Sequence, residues 1–262
     1  MRSNHNNANT YANHVYWVLC TILLLLGSGY AYAFEPIPIT VSHTMDKVNF
    51  DGKWSFEFEW KASSLNTYSY ENGEKTIILR SAHQGDFVYV LLDAISDQTI
   101  DVGMDKALVC FDTTNNKNTV ADLDDHCFMA VLGSDASVYQ GDTVSGFEKI
   151  TNPDGFIAKS SASDENDRYS GIPHATYEFK IPTDFIGRSS VYGFNFAVYD
   201  ENAKKFYTYP DDIATNDGFS SPDMWGEIYS PDKSLPEFYV APMIMVLSIA
   251  SVILITRIKK LV

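Results

Sequence analysis

The stretch T-I-I-L-R-S-A-H-Q-G-D-F-V-Y-V-L-L-D-A, residues 76–94, decides the fold. Two runs rich in β-branched and aromatic residues, 76–82 and 87–94, are joined by His83-Gln84-Gly85-Asp86. A Gly-Asp pair between two such runs is a signal of a β-hairpin. The sequence therefore predicts two neighbouring antiparallel strands here.

Similar runs recur along the chain, separated by clusters of turn residues, at 108–111, 127–132, 176–181, 191–199, 205–209 and 225–229. Only a minor helical turn, at 183–186, is expected among them. The fragment W-S-F-E-F-E-W, residues 54–60, alternates aromatic and polar residues, which is typical of a strand with one buried face. The predicted fold class is all-β, an antiparallel β-sandwich.

The N-terminal residues 1–33 have the pattern of a secretory signal peptide. An apolar run at 15–26 is followed by the small-residue site Ala31-Tyr32-Ala33, which predicts cleavage after Ala33. An uncleaved anchor is the alternative, but the run is shorter than the roughly 20 residues that span a bilayer.

The C-terminal residues 239–262 are predicted to form one transmembrane helix. Residues 239–256 carry no charge and are followed at once by Arg257, Lys259 and Lys260, a basic end that marks the cytoplasmic side. A buried soluble helix is the alternative. Residues 34–230 are then the external domain, 231–238 a stalk, and the expected location is the extracellular face of the cell envelope.

The external part of the chain is strongly acidic. It holds 15 of the Lys and Arg residues and 33 of the Asp and Glu residues, a net charge of −18. Such a field repels nucleic acid and anionic lipid and favours cations. Nucleic acid is therefore excluded as a partner.

Two cysteines, Cys110 and Cys127, remain if Cys20 leaves with the signal peptide. In an oxidising exterior an isolated pair favours a disulfide, and a metal site is the weaker alternative.

The segment between these cysteines concentrates acids and amides. Calcium prefers six to eight carboxylate, amide and carbonyl oxygens on a flexible loop. The candidate ligands are Asp112, Asn115, Asp122, Asp124 and Asp125. The spacing is not that of an EF-hand, and a solvated acidic loop is the alternative.

Four landmarks occur in order along the chain: D-G-K-W at 51–54, the hairpin L-R-S-A-H-Q-G-D-F-V-Y-V at 79–90, D-K-A-L-V-C-F-D at 105–112 and P-D-M-W-G at 222–226. Their order resembles the family 9 carbohydrate-binding modules, whose β-sandwich is shared with DOMON-type domains, over residues 44–230. The resemblance implies a glycan as ligand. It also implies haem b as a rival, for which Met104, Met129, His83, His126 and His174 offer ligand atoms.

Sugar-binding sandwiches stack flat rings on pyranose faces, so Trp60 and Trp225, at predicted strand ends, are candidate ligand-binding residues. Arg80 can add bidentate hydrogen bonds. Core packing, or pairing of Arg80 with acids, is the alternative for each.

The sequence Pro236-Glu237-Phe238 directly before the apolar tail is similar to the PEF-type C-terminal sorting signals of archaea. The resemblance implies an archaeosortase-like enzyme as a processing partner and a lipid anchor, although Tyr239 replaces the usual glycine.

Enzyme signatures are scarce: G-x-S-x-G, H-E-x-x-H and a phosphate-binding glycine loop do not occur. The expected function is a non-catalytic, surface-anchored ligand-binding module, with carbohydrate as the favoured ligand. A haem- or metal-binding electron-transfer domain and a structural envelope protein are the alternatives.

Overall fold

The structure, a computed structural model, describes residues 36–144, 146–211, 213 and 217–229. These residues form fourteen strands: β1 Ile37–Pro38, β2 Thr40–Val41, β3 Ser64–Tyr70, β4 Lys75–Gln84, β5 Phe87–Asp93, β6 Lys106–Asp112, β7 Asp125–Val131, β8 Ser137–Gly141, β9 Phe147–Ile150, β10 Ile157–Ala162, β11 Ala175–Pro182, β12 Val191–Asp200, β13 Lys205–Tyr209 and β14 Gly226–Tyr229. One helical turn, α1 Thr183–Ile186, and 3₁₀ turns at Met45–Lys47, Glu71–Gly73 and Pro222–Met224 join them.

The strands form two sheets. The large sheet has the order β1-β14-β12-β6-β7-β8-β9, with β13 also paired to β12. The small sheet has the order β10-β11-β5-β4-β2, with β3 also paired to β4. Pairing is antiparallel except for the short strands β1 and β2, which run parallel to β14 and β4. The predicted antiparallel β-sandwich is confirmed.

The hydrophobic core lies between the sheets because alternate residues of each strand point inward. In the predicted hairpin, Leu79 and Val90 face the core and are fully buried. The large sheet contributes an aromatic group from neighbouring strands, with the Phe111 and Phe194 rings 5.3 Å apart. Each such side chain contributes about 1.5–3 kcal/mol on burial.

Most of the predicted strands are confirmed. The 76–94 hairpin is β4 and β5, with Gln84 opposite Phe87 across the turn. The run at 108–111 pairs with that at 127–132 as β6 and β7, and the later runs are β11 to β14. The helical turn at 183–186 is α1.

The predicted strand at 54–60 is wrong. This segment is a series of turns in which Trp54 and Trp60 are buried, whereas the intervening Phe56 and Phe58 are exposed. A strand would place all four rings on one face. The cause is the buried Glu59 carboxylate, which accepts hydrogen bonds from the backbone N–H groups of Asn49 at 2.8 Å and of Ser55 at 2.6 Å and folds the chain back on itself.

Both sheets are also covered on their outer faces. Residues 43–63 and 163–174 lie over the small sheet, where Trp54, Trp60 and Met45 pack on Tyr89 and Leu91. Residues 113–124 and 217–225 lie over the large sheet. These two segments contribute to the pocket described below.

The predicted signal peptide at 1–33, the stalk and PEF motif at 231–238 and the transmembrane tail at 239–262 lie outside the described residues. Within the described ranges, no helix has the length and apolar character needed to cross a membrane.

Candidate functional site

The predicted disulfide is confirmed. Cys110 on β6 and Cys127 on β7 lie directly opposite each other and are bonded, with Cα atoms 4.1 Å apart. Both side chains point to the outer face of the large sheet, where Trp225 packs with them. Phe147 and Phe219, which pack against the disulfide and the indole, line the pocket described next.

A pocket of about 660 Å³ opens on this outer face. We call it the outer-face pocket. Three segments form its wall: the end of the 113–124 loop, the β8–β9 turn and the chain before β14. The lining residues are Thr119, Val120, Ala121, Val144, Gly146, Phe147, Asp217, Phe219, Ser220, Ser221 and Pro222. The volume falls in the range of small-molecule sites, about 300–1,000 Å³.

Aromatic rings supply the apolar part of the wall. The Phe147 ring is stacked with Phe219, with centroids 5.1 Å apart and planes 21° apart, and with Trp225, at 6.1 Å and 12°. Tyr139 meets Phe219 edge to face at 4.9 Å. Trp225 itself is buried, at 3% exposure, and supports Phe147 through this stacking.

Hydrogen-bonded polar groups lie in the same pocket as the rings. The Ser221 hydroxyl donates to the Thr119 carbonyl oxygen at 2.6 Å, and the Trp225 indole N–H donates to Ser220 Oγ at 2.9 Å. Asp217 accepts from the backbone N–H of Phe219 at 3.2 Å. Fixed hydroxyls and a carboxylate beside aromatic rings can bind a ligand that has both apolar faces and hydroxyl groups.

The 113–124 loop folds down onto the large sheet because two glycines make room for it. A Cβ on Gly141 would lie 2.2 Å from the Asp122 carbonyl oxygen, and one on Gly193 would lie 3.3 Å from Asn115 Oδ1. Lys117 fixes the loop further, since its ammonium donates to the carbonyl oxygens of Trp225 at 2.6 Å and Gly226 at 2.9 Å. The position of this loop therefore sets the shape of the pocket.

Three of the five predicted calcium ligands, Asp112, Asn115 and Asp125, lie near the base of this loop. Asp112 and Asp125 are directly opposite each other on β6 and β7, and both are fully buried. A Cβ on Gly193 would lie 3.1 Å from Asp112 Oδ2 and 3.3 Å from Asn115 Oδ1, so both oxygens lie beside Gly193. Asp125 Oδ1 and Asn115 Oδ1 are buried and have no hydrogen-bond partner among the described residues.

The side chains of the other two predicted ligands, Asp122 and Asp124, accept hydrogen bonds from other residues of the loop. Asp122 accepts from the side-chain amides of Asn116 and Asn118, at 3.2 and 2.6 Å, and Asp124 accepts from the Thr114 hydroxyl at 2.7 Å. These carboxylates organise the loop itself. Asp122 still contacts the site through its backbone, whose N–H donates to Asp125 Oδ2 at 2.8 Å.

The electrostatics of the Asp125 carboxylate favour a cation. Burial, followed by the charges of Asp112, Asp122 and Asp124, raises its pKa to about 7, although the hydrogen bond from the Asp122 N–H lowers it. A divalent cation in the same place would reverse this effect, because its charge favours the ionised carboxylate.

Trp60 and Arg80 do not reach an exposed rim. Trp60 is fully buried, and its indole N–H donates to Glu178 at 2.8 Å. Arg80 is 6% exposed, lies 5.3 Å from the Trp54 ring, and donates to the Tyr169 hydroxyl at 2.7 Å. Both side chains hold the covering segments on the small sheet.

Glu178 on β11 accepts hydrogen bonds from two residues of the 43–63 covering segment. One of its oxygens accepts from Trp60 and the other from the Gly52 backbone N–H at 2.7 Å. Burial raises the pKa of Glu178 to about 8, against the effect of these two hydrogen bonds. Gly52 has a φ of +91°, and a Cβ there would lie 2.4 Å from the Ser160 backbone.

The residues considered for haem lie apart. His126 points between the sheets and meets Phe185 at 4.6 Å, and its pKa is lowered to about 4 by burial. Met129 packs on the outer face of the large sheet, and His174 lies on the outer face of the small one. Met129, His126 and His174 thus lie on three different faces of the two sheets.

The pocket residues Phe147, Phe219, Asp217 and Ser220 were missed by the sequence reasoning. The F-S-S-P run at 219–222 before the strand at 225–229 was one available signal. Stacking of Phe147 on Trp225 required knowledge of the strand order.

The sequence matches no known protein family, and no curated protein sequence matches it. Among solved structures, it is similar to a family 9 carbohydrate-binding module from Caldicellulosiruptor kristjanssonii in complex with cellotriose, at 15% identity and a TM-score of 0.49, over 77% of this chain and 98% of that one. The glucose complex of a family 9 module from the same organism gives 14% identity and a TM-score of 0.48, over 77% and 100%. These are members of the family that the sequence landmarks resemble; at such identities and TM-scores, the function of this chain has to be argued from its own residues.

Proposed function

We propose that this protein is a non-catalytic carbohydrate-binding module displayed on the outer surface of a cell, and that the outer-face pocket holds the sugar. The observation that carries the proposal is the combination of stacked Phe147 and Phe219 rings with the polar groups of Asp217, Ser220 and Ser221 in one pocket. A sugar ring has an apolar face that packs on an aromatic ring and equatorial hydroxyls that need fixed donors and acceptors.

The ligand is a neutral glycan. The external part of the chain carries a net charge of −18, and such a surface repels uronic acids, sulfated sugars and other anions. Asp217 is the one ionisable side chain that lines the described part of the pocket, and it accepts hydrogen bonds.

Calcium is part of the same proposal. Asp112, Asp125 and Asn115 are the inferred ligands, supported by the buried oxygens of Asp125 and Asn115 that lack a partner within the described ranges. Backbone carbonyl oxygens and water complete the six to eight oxygens that calcium prefers. The ion would fix the loop whose far end, residues 119–121, lines the pocket, so glycan binding is expected to weaken in chelator.

The cellular setting is proposed from the sequence. The predicted signal peptide, the basic-ended apolar tail and the Pro236-Glu237-Phe238 motif together support export and attachment to the membrane. An archaeosortase-like enzyme is the inferred processing partner. Mass spectrometry of the native protein tests this setting, and retention of residues 1–33 would contradict it.

Binding of the full-length protein to an array of neutral and acidic oligosaccharides tests the function. We expect a neutral oligosaccharide to bind, and Phe147→Ala or Phe219→Ala to weaken binding by about 5- to 150-fold, the equivalent of about 1–3 kcal/mol for one buried aromatic contact. Phe58→Ala is the matched control, because Phe58 is an exposed ring, at 61%, on the segment that covers the small sheet.

Retention of full affinity by both pocket variants, or equal loss in the control, would contradict the pocket as the site. The visible spectrum of the purified protein separates the haem alternative, since a bound haem gives a Soret band and a glycan-binding module without haem does not.

A further inference from the structure

A second group of chemically active side chains lies on the opposite sheet, outside the pocket. Asp93 ends β5, His174 immediately precedes β11, and Asp167 lies in the connection between β10 and β11. The His174 Nε2 is 2.5 Å from Asp93 Oδ1 and 3.9 Å from Asp167 Oδ2, and all three side chains are fully buried. One ligand atom from each lies within 4.8 Å of those of the others.

The orientation of the histidine ring directs a lone pair at the two carboxylates. Nδ1 lies 2.8 Å from the Ile172 carbonyl oxygen and 2.9 Å from Ser163 Oγ. A hydroxyl oxygen can donate or accept, but a carbonyl oxygen can only accept, so Nδ1 carries the hydrogen. In the neutral ring, Nε2 is therefore unprotonated and faces Asp93 and Asp167. A backbone carbonyl that holds the opposite nitrogen in this way is the usual outer partner of a metal-binding histidine.

Several buried oxygens around the ring lack partners. Asp93 Oδ2, Asp167 Oδ2 and Thr176 Oγ1 have no hydrogen-bond partner in the part of the chain that the structure describes. Thr176 is directly opposite Asp93 in the β5–β11 register and is fully buried. The neighbouring cation, Arg80, directs its Nε to the Tyr169 hydroxyl and its Nη1 to two backbone carbonyl oxygens.

The charges of the buried groups also favour a bound cation. Two carboxylates and an imidazole lone pair converge in a buried space, and unpaired buried charge is costly. A cation is needed here, either a proton on the ring or a metal ion.

We propose that Asp93, Asp167 and His174 bind a divalent transition metal of the zinc class. Tetrahedral zinc, with bonds of about 2.0–2.2 Å, separates its ligand atoms by about 3.4 Å. The two His174 distances of 2.5 and 3.9 Å bracket that value, so small side-chain movements complete the site. An imidazole nitrogen among the ligands favours zinc over calcium, which prefers oxygen. The Thr176 hydroxyl or a water supplies the fourth ligand.

The ion would act as a clamp. The 163–174 segment is closed at its base, where the Ser163 backbone N–H donates to the His174 carbonyl at 2.8 Å and the His174 N–H donates to Ser163 Oγ at 3.0 Å. Its Tyr169 ring packs edge to face on Trp54 at 6.0 Å. Asp93 belongs to the sheet, so a metal shared with Asp167 fastens this covering segment to the strand beneath. Since the site is closed to solvent, its role is structural.

The test uses full-length protein freed of metal with chelator and titrated with Co²⁺, followed by Zn²⁺. We expect about one equivalent of Co²⁺ to give the visible d–d absorption of a tetrahedral site and Zn²⁺ to displace it. His174→Gln and Asp167→Asn should each weaken the affinity by more than the roughly 10- to 100-fold caused by loss of an outer-shell partner. Asp164→Asn, a partly exposed aspartate in the same segment, is the matched control and should bind like the wild type.

If His174→Gln does not fold, Asp167→Asn alone tests the metal site. Asparagine keeps the Oδ1 acceptor for the backbone N–H groups of Tyr169 at 2.7 Å and Ser170 at 2.8 Å. Failure of the wild type to bind either metal, or binding by both variants equal to that of the wild type, would overturn the proposal. In the first case a protonated His174 between two carboxylates is the alternative, visible by NMR as two ring N–H protons. These outcomes are independent of glycan binding, because the pocket lies on the other sheet.

Discussion

Replacing Asp125 by asparagine is expected to have opposite effects on stability without and with calcium. Asp125 is fully buried beside Asp112, and one of its oxygens accepts from the Asp122 N–H at 2.8 Å while the other has no partner in the described ranges. Asparagine retains the acceptor for Asp122 and places an N–H group where the unpaired oxygen lay. It also removes one of the two buried carboxylates.

The magnitude follows from the pKa. The ordinary value for aspartate is 3.8, and in the folded chain the pKa of Asp125 is raised to about 7. Between these values the folded state binds more protons than the unfolded state, so the free energy of unfolding falls as the pH rises from about 4 to about 7. At about 1.4 kcal/mol per pH unit, this amounts to about 4 kcal/mol. In chelator at pH 8, Asp125→Asn should therefore be more stable than the wild type by about 1–4 kcal/mol.

Calcium should reverse the order. It stabilises the wild type by about 4.1 kcal/mol at a concentration one thousand times its Kd, which exceeds the advantage of the variant, and it should do little for a variant that lacks the Asp125 carboxylate. Urea unfolding of both proteins at pH 5 and pH 8, in chelator and in millimolar Ca²⁺, measures all four differences. Greater stability of the wild type than of the variant in chelator at pH 8, or an equal calcium effect in both, would refute the reasoning.

Three further variants probe the scaffold. Replacing Cys110 and Cys127 by alanine should lower the free energy of unfolding in urea by about 3 kcal/mol, because the bridge closes a 17-residue separation; no change would contradict the disulfide in solution. Gly141→Ala should destabilise by about 1–3 kcal/mol and weaken glycan binding, since its Cβ would meet the loop backbone at 2.2 Å. A gain in melting temperature would contradict that close approach. Trp60→Phe leaves a Glu178 oxygen without its donor and should cost about 1–3 kcal/mol, measured by calorimetry, and a neutral result would show that water replaces the indole.

The strands could be predicted where the apolar pattern is local. The 76–94 hairpin, β6 with β7, and β11 to β14 each carry a run of β-forming residues bounded by turn residues. Strands β3, β8, β9 and β10 were missed because their sequences, such as S-L-N-T-Y-S-Y at 64–70, are polar and weakly patterned. Their pairing depends on the neighbouring strand.

The 54–60 segment shows where a periodic pattern misleads. Its alternation is real, but Trp54 and Trp60 anchor both ends of a turn on the small sheet and Glu59 closes the chain between them. Hydrogen bonds from nearby backbone N–H groups to a buried carboxylate overrode the extended conformation. The same local bonding explains why Asp122 and Asp124 organise the 113–124 loop.

The candidate sites could be predicted only in part. The acidic loop is a local cluster, so Asp112, Asn115 and Asp125 could be proposed as calcium ligands from the sequence, and that proposal stays a prediction. The Asp93–His174 contact joins residues 81 positions apart, and the Phe147–Trp225 stack depends on the order of strands in the large sheet. Such contacts leave no spacing in a single sequence that reasoning from periodicity can detect.

A crystal structure of the protein with the neutral oligosaccharide that binds most tightly on the array tests the central claim most directly. The account predicts a sugar ring against Phe147 and Phe219, with its hydroxyls hydrogen-bonded to Asp217, Ser220 or Ser221. A sugar bound instead beside the exposed Phe58 on the other sheet would contradict it.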